Sequence, residues 1–579
     1  MRMLSILIVS YFLIGWFMSF LVLNRETCLS ERIVFAVAFN IAFISASMHA
    51  MGTFGTFDYS LILLTEASIM LLVISAKIDD IGFVLRKATL PKLNRRQAGV
   101  VGVIGVQLLL SVYHSMLFPV EGGDPVSYHI PYAIMFWEKG RIVNGVGHLW
   151  CCNAFPHAIH VLNSYMFWVN GGFEEGLVRA LSPVMLAMIA LLTFLFIQTT
   201  EGKKAAYVGV LLLFSVPYLI AHGQSAYINL PDVFFVSLGL YYLFKGLDSN
   251  RYLFLSGAFG GFAMLVKPSA IIFYFIAIPI MFFFRNKLSW RGMGWFGVGC
   301  LVFLGPLWYI RNITIWGTPF YPHLPVGETA PYSMSRLKFL LLYMFDDQIN
   351  INWGHGPMFL TFGIIGLCYT KWKGFSYEEQ FMLLWLICGA AATAVFLQNG
   401  RHMLHMIIPQ VYFAAKGALW LLSKRDWVRT ASVAYIIVLI IPPLALGAYG
   451  FKNMQIRDGG FSFHLPIPPS NRSEFLREQW GEIYEAFEFV YGTPNNATFL
   501  TNQPDLYLME RDIYISRNFE FESVEVGVGE LKRAGVGYVY HNKNLPVNPI
   551  GEELFNSLND TMYFTPVFNN NIVEIYKIR

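Results

Sequence analysis

One short segment of this chain gathers the residue types that general acid–base chemistry needs. In Gly122-Gly123-Asp124-Pro125-Val126-Ser127-Tyr128-His129, a carboxylate stands beside a phenol and an imidazole, just after the apolar run Val100 to Leu117. That run is long enough to cross a bilayer. A carboxylate held at such a boundary can take a proton from a hydroxyl, which is general-base work. The same residues also spell an Asx turn, because Gly-Gly-Asp-Pro is turn chemistry. A second acid, Asp232 in Asn229-Leu230-Pro231-Asp232-Val233, opens another apolar run. Its alternatives are the same chemistry or a helix N-cap.

Cations form the second group. Lys267, Arg311 and Arg401 each lie at the end of an apolar run. Gathered on one membrane face, they can hold the phosphate of a lipid headgroup or lipid carrier. Each alone serves as well as a snorkelling anchor. Tyr128, His129, His157, Asp232 and His402 are substrate-site candidates. His157 and His160 stand about one helical turn apart and can face one ligand. The cysteines, among them the adjacent Cys151 and Cys152, show no CxxC or other metal spacing. A divalent metal on Asp124 or Asp232 is an option, not a requirement.

The elements that must position these groups are apolar. Hydrophobic residues make up 55% of the chain and charged ones 13%, against about 25% charged in soluble domains. Lys and Arg are scattered through short loops, which excludes a nucleic-acid-binding face. Runs suited to a bilayer core lie near 3–23, 33–51, 59–76, 99–117, 178–197, 204–221, 229–246, 252–267, 269–285, 291–311, 355–372, 380–397, 402–421 and 430–450. They predict about fourteen transmembrane helices. Basic clusters after the third run, and at Lys203/Lys204, Lys245/Arg251, Arg285/Lys287/Arg291, Lys371/Lys373 and Lys424/Arg425/Arg429, all fall on one side when the runs alternate. That side is the cytoplasm, provided that 153–170 is a surface helix and not a span. The outer side then receives loops 118–177 and 312–354 and everything after about 451. There, strand-like pieces (497–501, 512–516, 537–541, 572–578) alternate with helix-like ones (473–490, 529–534, 551–558), which predicts a small α/β domain.

The expected fold class is thus an α-helical polytopic membrane protein with a C-terminal extracytoplasmic α/β domain. Residues 1–98 hold additional helices and a basic loop, 99–450 a catalytic core, and 451–579 the outer domain.

These motifs, in this order, resemble the GT-C superfamily of membrane glycosyltransferases, in particular its aminoarabinose-transferase and protein O-mannosyltransferase branch. The resemblance runs over roughly residues 99 to 450. It rests on Asp124 through His129 with Pro131-Tyr132-Ala133 and Trp137-Glu138-Lys139-Gly140, and on Asn153-Ala154-Phe155-Pro156-His157. Further pieces are Leu230-Pro231-Asp232, a Gly260-Gly261 span ending in Val266-Lys267-Pro268, and Arg401-His402. The last is Trp308-Tyr309-Ile310-Arg311-Asn312 followed by Gly317-Thr318-Pro319-Phe320-Tyr321-Pro322. One departure is Pro125, where the family often carries a second acid. Another is the set of three runs before residue 77, which are additions to the usual core.

The resemblance implies a sugar on a polyprenyl phosphate as donor and the hydroxyl of a lipid, glycan or protein as acceptor. It implies an Asp124 base, a phosphate held by Lys267, Arg401 and Arg311, and inversion at the anomeric carbon. The setting would be the bilayer of a bacterial inner membrane, with the site on its outer, periplasmic face. Two alternatives remain open: a polysaccharide polymerase or ligase that uses pyrophosphate-linked oligosaccharides, and a secondary transporter.

Overall fold

The structure is a computed structural model. It describes residues 2–87, 93–118, 120, 124–143, 155–303, 305–317, 358–394, 400–449, 477, 481–494, 497–501, 512–515, 524–533, 535–543 and 556–579. Gly122, Gly123, Cys151, Cys152, most of loop 312–354 and most of piece 551–558 lie outside the described residues. The chain divides into two compact units. One comprises 1–116, 140–142 and 155–466; the other comprises 117–139, 143–154 and 467–579.

The first unit is helical. The N-terminal run is split into α1 (Arg2–Tyr11) and α2 (Leu13–Val22), and is followed by α3 (Leu29–Phe54), α4 (Tyr59–Lys87) and α5 (Arg95–Leu117), whose last residue passes into the second unit. The second unit contains α6 (Ile130–Lys139). Back in the first unit come α7 (Ala158–Asn170), α8 (Glu175–Glu201), α9 (Lys203–Leu213), α10 (Pro217–Gly223), α11 (Asn229–Gly246) and α12 (Asn250–Val266). Next are α13 (Ile272–Phe283), α14 (Trp290–Val302) and α15 (Gly305–Trp316), then helices Ile364–Lys373, Tyr377–Ala392, Ile407–Leu422 and Asp426–Tyr449. Every expected apolar run with described residues is therefore helical.

Among the described residues, six helices are long and apolar enough to cross a membrane, or eight if each of two bent pairs counts once. The bends are 75° between α9 and α10 and 64° between α14 and α15. Pro217 and Gly305 begin the second helix of each pair, and proline cannot continue a helix's hydrogen-bond ladder. Other expected spans are helices of 10 to 18 residues.

One sequence expectation changes here. α7 is not a surface helix: Ala158 through Phe167 are all buried. Its polar residues face protein, so His160, Asn163 and Ser164 mark an interior that amphipathic counting mistook for a wet face. α3, among the runs read as additions, packs against α7, α8 and α12 and is part of this unit's core.

Glycine sets the closest helix contacts. A Cβ on Gly257 would run into the carbonyl of Phe296, and one on Gly261 into that of Cys300. Small residues let membrane helices approach backbone to backbone, and here they clamp α12 against α14. The glycine-rich character of the span ending at Lys267 thereby gains a mechanical reason.

The second unit contains a five-stranded sheet of order β2-β1-β3-β5-β4. Its strands are β1 (Thr498–Thr501), β2 (Asp512–Ile515), β3 (Tyr538–Asn542), β4 (Phe564–Asn569) and β5 (Val573–Ile578). β1 runs parallel to β2 and β3, while β5 is antiparallel to β3 and β4. Helix Val524–Arg533 lends Val528 and Leu531 to a core with Leu500, Val539, Phe564 and Tyr576. The sequence reading missed β4. It carries Pro566 at a register shift, and proline belongs at edges and bulges because it cannot donate to a ladder.

Candidate active site

The site in the helical unit begins with a proline. Pro268 disfavours helical geometry for the residue before it, and Lys267 is extended at φ −157°, ψ 145°. α12 ends there, and a 3-10 turn (Pro268–Ile271) follows. The half-buried Lys267 ammonium donates a short hydrogen bond to Oδ1 of Asn229, the first residue of α11. Asn229 Nδ2 lies 3.5 Å from His222 Nε2 on α10. The lysine is thus seated on the start of α11, beside the end of α10 and at a break, not on a flexible loop.

One turn further along α11 stands Asp232, 1% exposed. Residue 228 is the N-cap of this helix, so the N-cap alternative for Asp232 does not hold. Its Oδ2 accepts a 2.5 Å hydrogen bond from Ser269 Oγ and lies 3.1 Å from His405 Nε2. Buried carboxylates require such partners, since an unpaired charge in an apolar interior is costly. His405 sits in a 3-10 turn (Gly400–Met406) whose second residue is Arg401. Trp385 Nε1 donates to the His405 carbonyl at 2.9 Å. The side chains of Arg401 and His402 lie outside the described residues.

A second cluster lies on α3, α7 and α15. Arg311 lies over the Trp308 ring at 4.2 Å and donates to Asn312 Oδ1 at 3.2 Å. His49 of α3 meets the same tryptophan edge-on at 4.8 Å, and His157 does so at 5.3 Å. His157 and His160 do come together, with their Nδ1 atoms 2.9 Å apart. They face each other within the protein interior. Among the described residues no group of three or more His, Cys, Asp or Glu side chains could hold a metal ion.

Asp124, Tyr128 and His129 belong to the second unit. Asp124 has helical angles (φ −49°, ψ −41°) and makes no side-chain capping bond to the turn that it opens. That differs from the Asx-turn alternative. The turn, Pro125–His129, is π-helical and leads straight into α6. Single π-turns are rare and recur at functional sites. Tyr128 and His129 pack ring on ring at 4.2 Å, with His129 buried.

Sequence reasoning missed Asn229, Ser269, His405 and His49. The first two flank residues it did single out, and His405 follows His402 at a three-residue spacing that puts neighbours on one helical face. His49 gave no signal, because nothing local ties α3 to Trp308.

Known proteins bear out this architecture. Residues 164–310 match the family model described as dolichyl-phosphate-mannose-protein mannosyltransferase. That segment contains Asp232 and Lys267, ends just before Arg311 and begins after Asp124. The solved structure of ArnT from Cupriavidus metallidurans bound to undecaprenyl phosphate is similar, with TM-score 0.53 at 11% identity over 83% of this chain and 98% of that one. In its apo state the same protein gives TM-score 0.53 at 12% identity, over 84% and 98%. No curated protein sequence is significantly similar. The chain therefore shares the fold of the ArnT structures.

Proposed function

We propose that this protein is a glycosyltransferase that moves a sugar from a polyprenyl-phosphate donor to an acceptor hydroxyl at the outer face of a bacterial inner membrane. The observation that carries the reading is Lys267, an ammonium fixed at a helix break by Asn229. Lys267, Asn229 and Asp232 all lie within residues 164–310, the segment that matches the family model. The donor class is supported by that family's description, which is a polyprenyl-monophosphate sugar, and by the undecaprenyl phosphate bound in the similar ArnT structure.

In this reading the acceptor oxygen attacks the anomeric carbon as its proton passes to the Asp124 carboxylate. The bond from that carbon to the phosphate oxygen breaks, and its electron pair leaves with the polyprenyl phosphate. Attack from the opposite face inverts the anomeric centre. Lys267, Arg401 and Arg311 hold the phosphate and stabilise the charge that grows on it, the term from which such a site gains most. Residues 99–450 form the catalytic core, and 451–579 an outer domain. The acceptor is a lipid, glycan or protein hydroxyl.

The test is radiolabelled transfer by the purified full-length protein. Polyprenyl-monophosphate sugar should serve as donor where pyrophosphate-linked oligosaccharide does not; the reverse result would favour the polymerase or ligase alternative. Asp124→Asn should lower transfer by about 10²–10⁴-fold while the protein stays folded. Full activity in that variant would remove Asp124 as the base.

A further inference from the structure

Two candidate phosphate cations, Lys267 and Arg401, lie in parts of the chain more than a hundred residues apart, each at a break in helical structure. One carboxylate oxygen ties the two breaks together. Asp232 Oδ2 takes the hydroxyl of Ser269, two residues after Lys267, and the imidazole of His405, four residues after Arg401. The same helix start offers Asn229, three residues earlier on the same face, to the Lys267 ammonium itself.

We propose that Asp232 is a positioning residue: it acts through Ser269 and His405 to set the spacing of the phosphate-binding cations, and it neither takes a proton from substrate nor holds a metal. This inference rests on the phosphate-cradle reading above. Asp232 is nearly inaccessible, and Ser269 and His405 are both buried around it. A general base must reach substrate, and the described residues offer no further carboxylate or imidazole set that would make Asp232 part of a metal site. What the geometry does provide is cross-bracing. A 3-10 turn of four residues and another of seven have few internal hydrogen bonds to fix them, so an outside anchor sets where they sit. The Trp385 indole holds the second turn from its other side through the His405 carbonyl.

The role separates from a chemical one by the behaviour of the isosteric amide. An asparagine oxygen can accept from Ser269 as the carboxylate does and stand at the same 3.1 Å contact with His405 Nε2, yet it cannot act as a base and is a poor metal ligand. The experiment uses the purified full-length protein with polyprenyl phosphate as binding probe and sugar transfer as activity readout. Asp232→Ala should weaken polyprenyl phosphate binding about tenfold, and Asp232→Asn should restore it to within about threefold of wild type. Ser269→Ala, which removes only one tie, should fall between them and provides the measurement if Asp232→Ala fails to fold. The double variant Asp232→Ala/Lys267→Ala should bind more weakly than Lys267→Ala alone, but by less than the tenfold that Asp232→Ala costs in the wild-type background, because Asp232 acts partly through that ammonium and partly through the turn that carries Arg401.

If Asp232→Asn loses turnover as fully as Asp232→Ala while both bind normally, the residue has a chemical role and the proposal is overturned. Normal binding by Asp232→Ala and Ser269→Ala, with weak binding by Lys267→Ala, overturns this inference alone. Normal binding by Lys267→Ala overturns the phosphate cradle and this inference with it.

Discussion

The helical unit uses charge differently at its two ends. At one end, Lys245 meets both oxygens of Glu31 at 2.6 and 2.8 Å, and Arg251 reaches Asn24 at 2.5 Å. There too Arg25 and Lys77 share Asp80, and Lys416 bonds Glu201 at 2.8 Å as well as Glu379. At the other end, Lys267 is seated on the neutral amide of Asn229 and Arg311 on the face of Trp308. The carboxylate at that end is taken up by Ser269 and His405. Both α3, from Glu31 to His49, and α11, from Asn229 to Gly246, connect the ends over about 27 Å at 1.5 Å per residue. That is close to the thickness of a bilayer core. A carboxylate partner fixes a cation and cancels its field. A neutral partner fixes a cation without itself cancelling that field.

The comparison can be attacked from the packing that carries both ends. Gly261→Leu would force α12 away from α14 at the Cys300 carbonyl. It should yield little or no monodisperse protein on size-exclusion chromatography, since overpacking against backbone has no cheap relaxation. Folded, stable protein would show that the clamp is dispensable.

A smaller loss is expected at the ion-paired end. Lys245→Ala leaves the buried Glu31 carboxylate without its ammonium and should cost on the order of 3 kcal/mol. Thermal unfolding in detergent measures it, and polyprenyl phosphate affinity per folded molecule should not move. At the other end the pattern should invert: Lys267→Ala should weaken polyprenyl phosphate binding about tenfold, or 1.4 kcal/mol, with little change in unfolding temperature. If both lysines changed the same observable, the division between the ends would fail. Least of all is expected from Lys77→Ala. Its partly exposed pair with Asp80 should contribute below about 1 kcal/mol, and a larger shift in unfolding temperature would mean that this end is drier than it looks.

Much of this was legible in advance for identifiable reasons. A helix that meets lipid announces itself by twenty apolar residues, so the positions of α3, α4, α5 and α8 could be read directly. β1, β2, β3 and β5 stood out as short β-branched or aromatic pieces between turn residues. β4 did not, because Pro566 disguises an edge strand. Asp232 and Lys267 were recognisable as motif residues, yet the N-cap alternative for Asp232 failed because capping is local and its actual partners are 37 and 173 residues away. α7 was misjudged because polar residues look alike whether they face water or a buried polar cluster.

The sequence by itself determined that this is a helical membrane protein with a small α/β unit, that α12 must stop at Lys267-Pro268, and that acids and cations concentrate at the ends of apolar runs. Those follow from period, hydropathy and backbone sterics, which act over a few residues. Only the tertiary structure decided that Ser269 and His405 share one oxygen of Asp232, that Asn229 seats Lys267, and that α3 brings His49 to Trp308. Such contacts join residues separated by tens to hundreds of positions, and no local rule of propensity or patterning reaches that far.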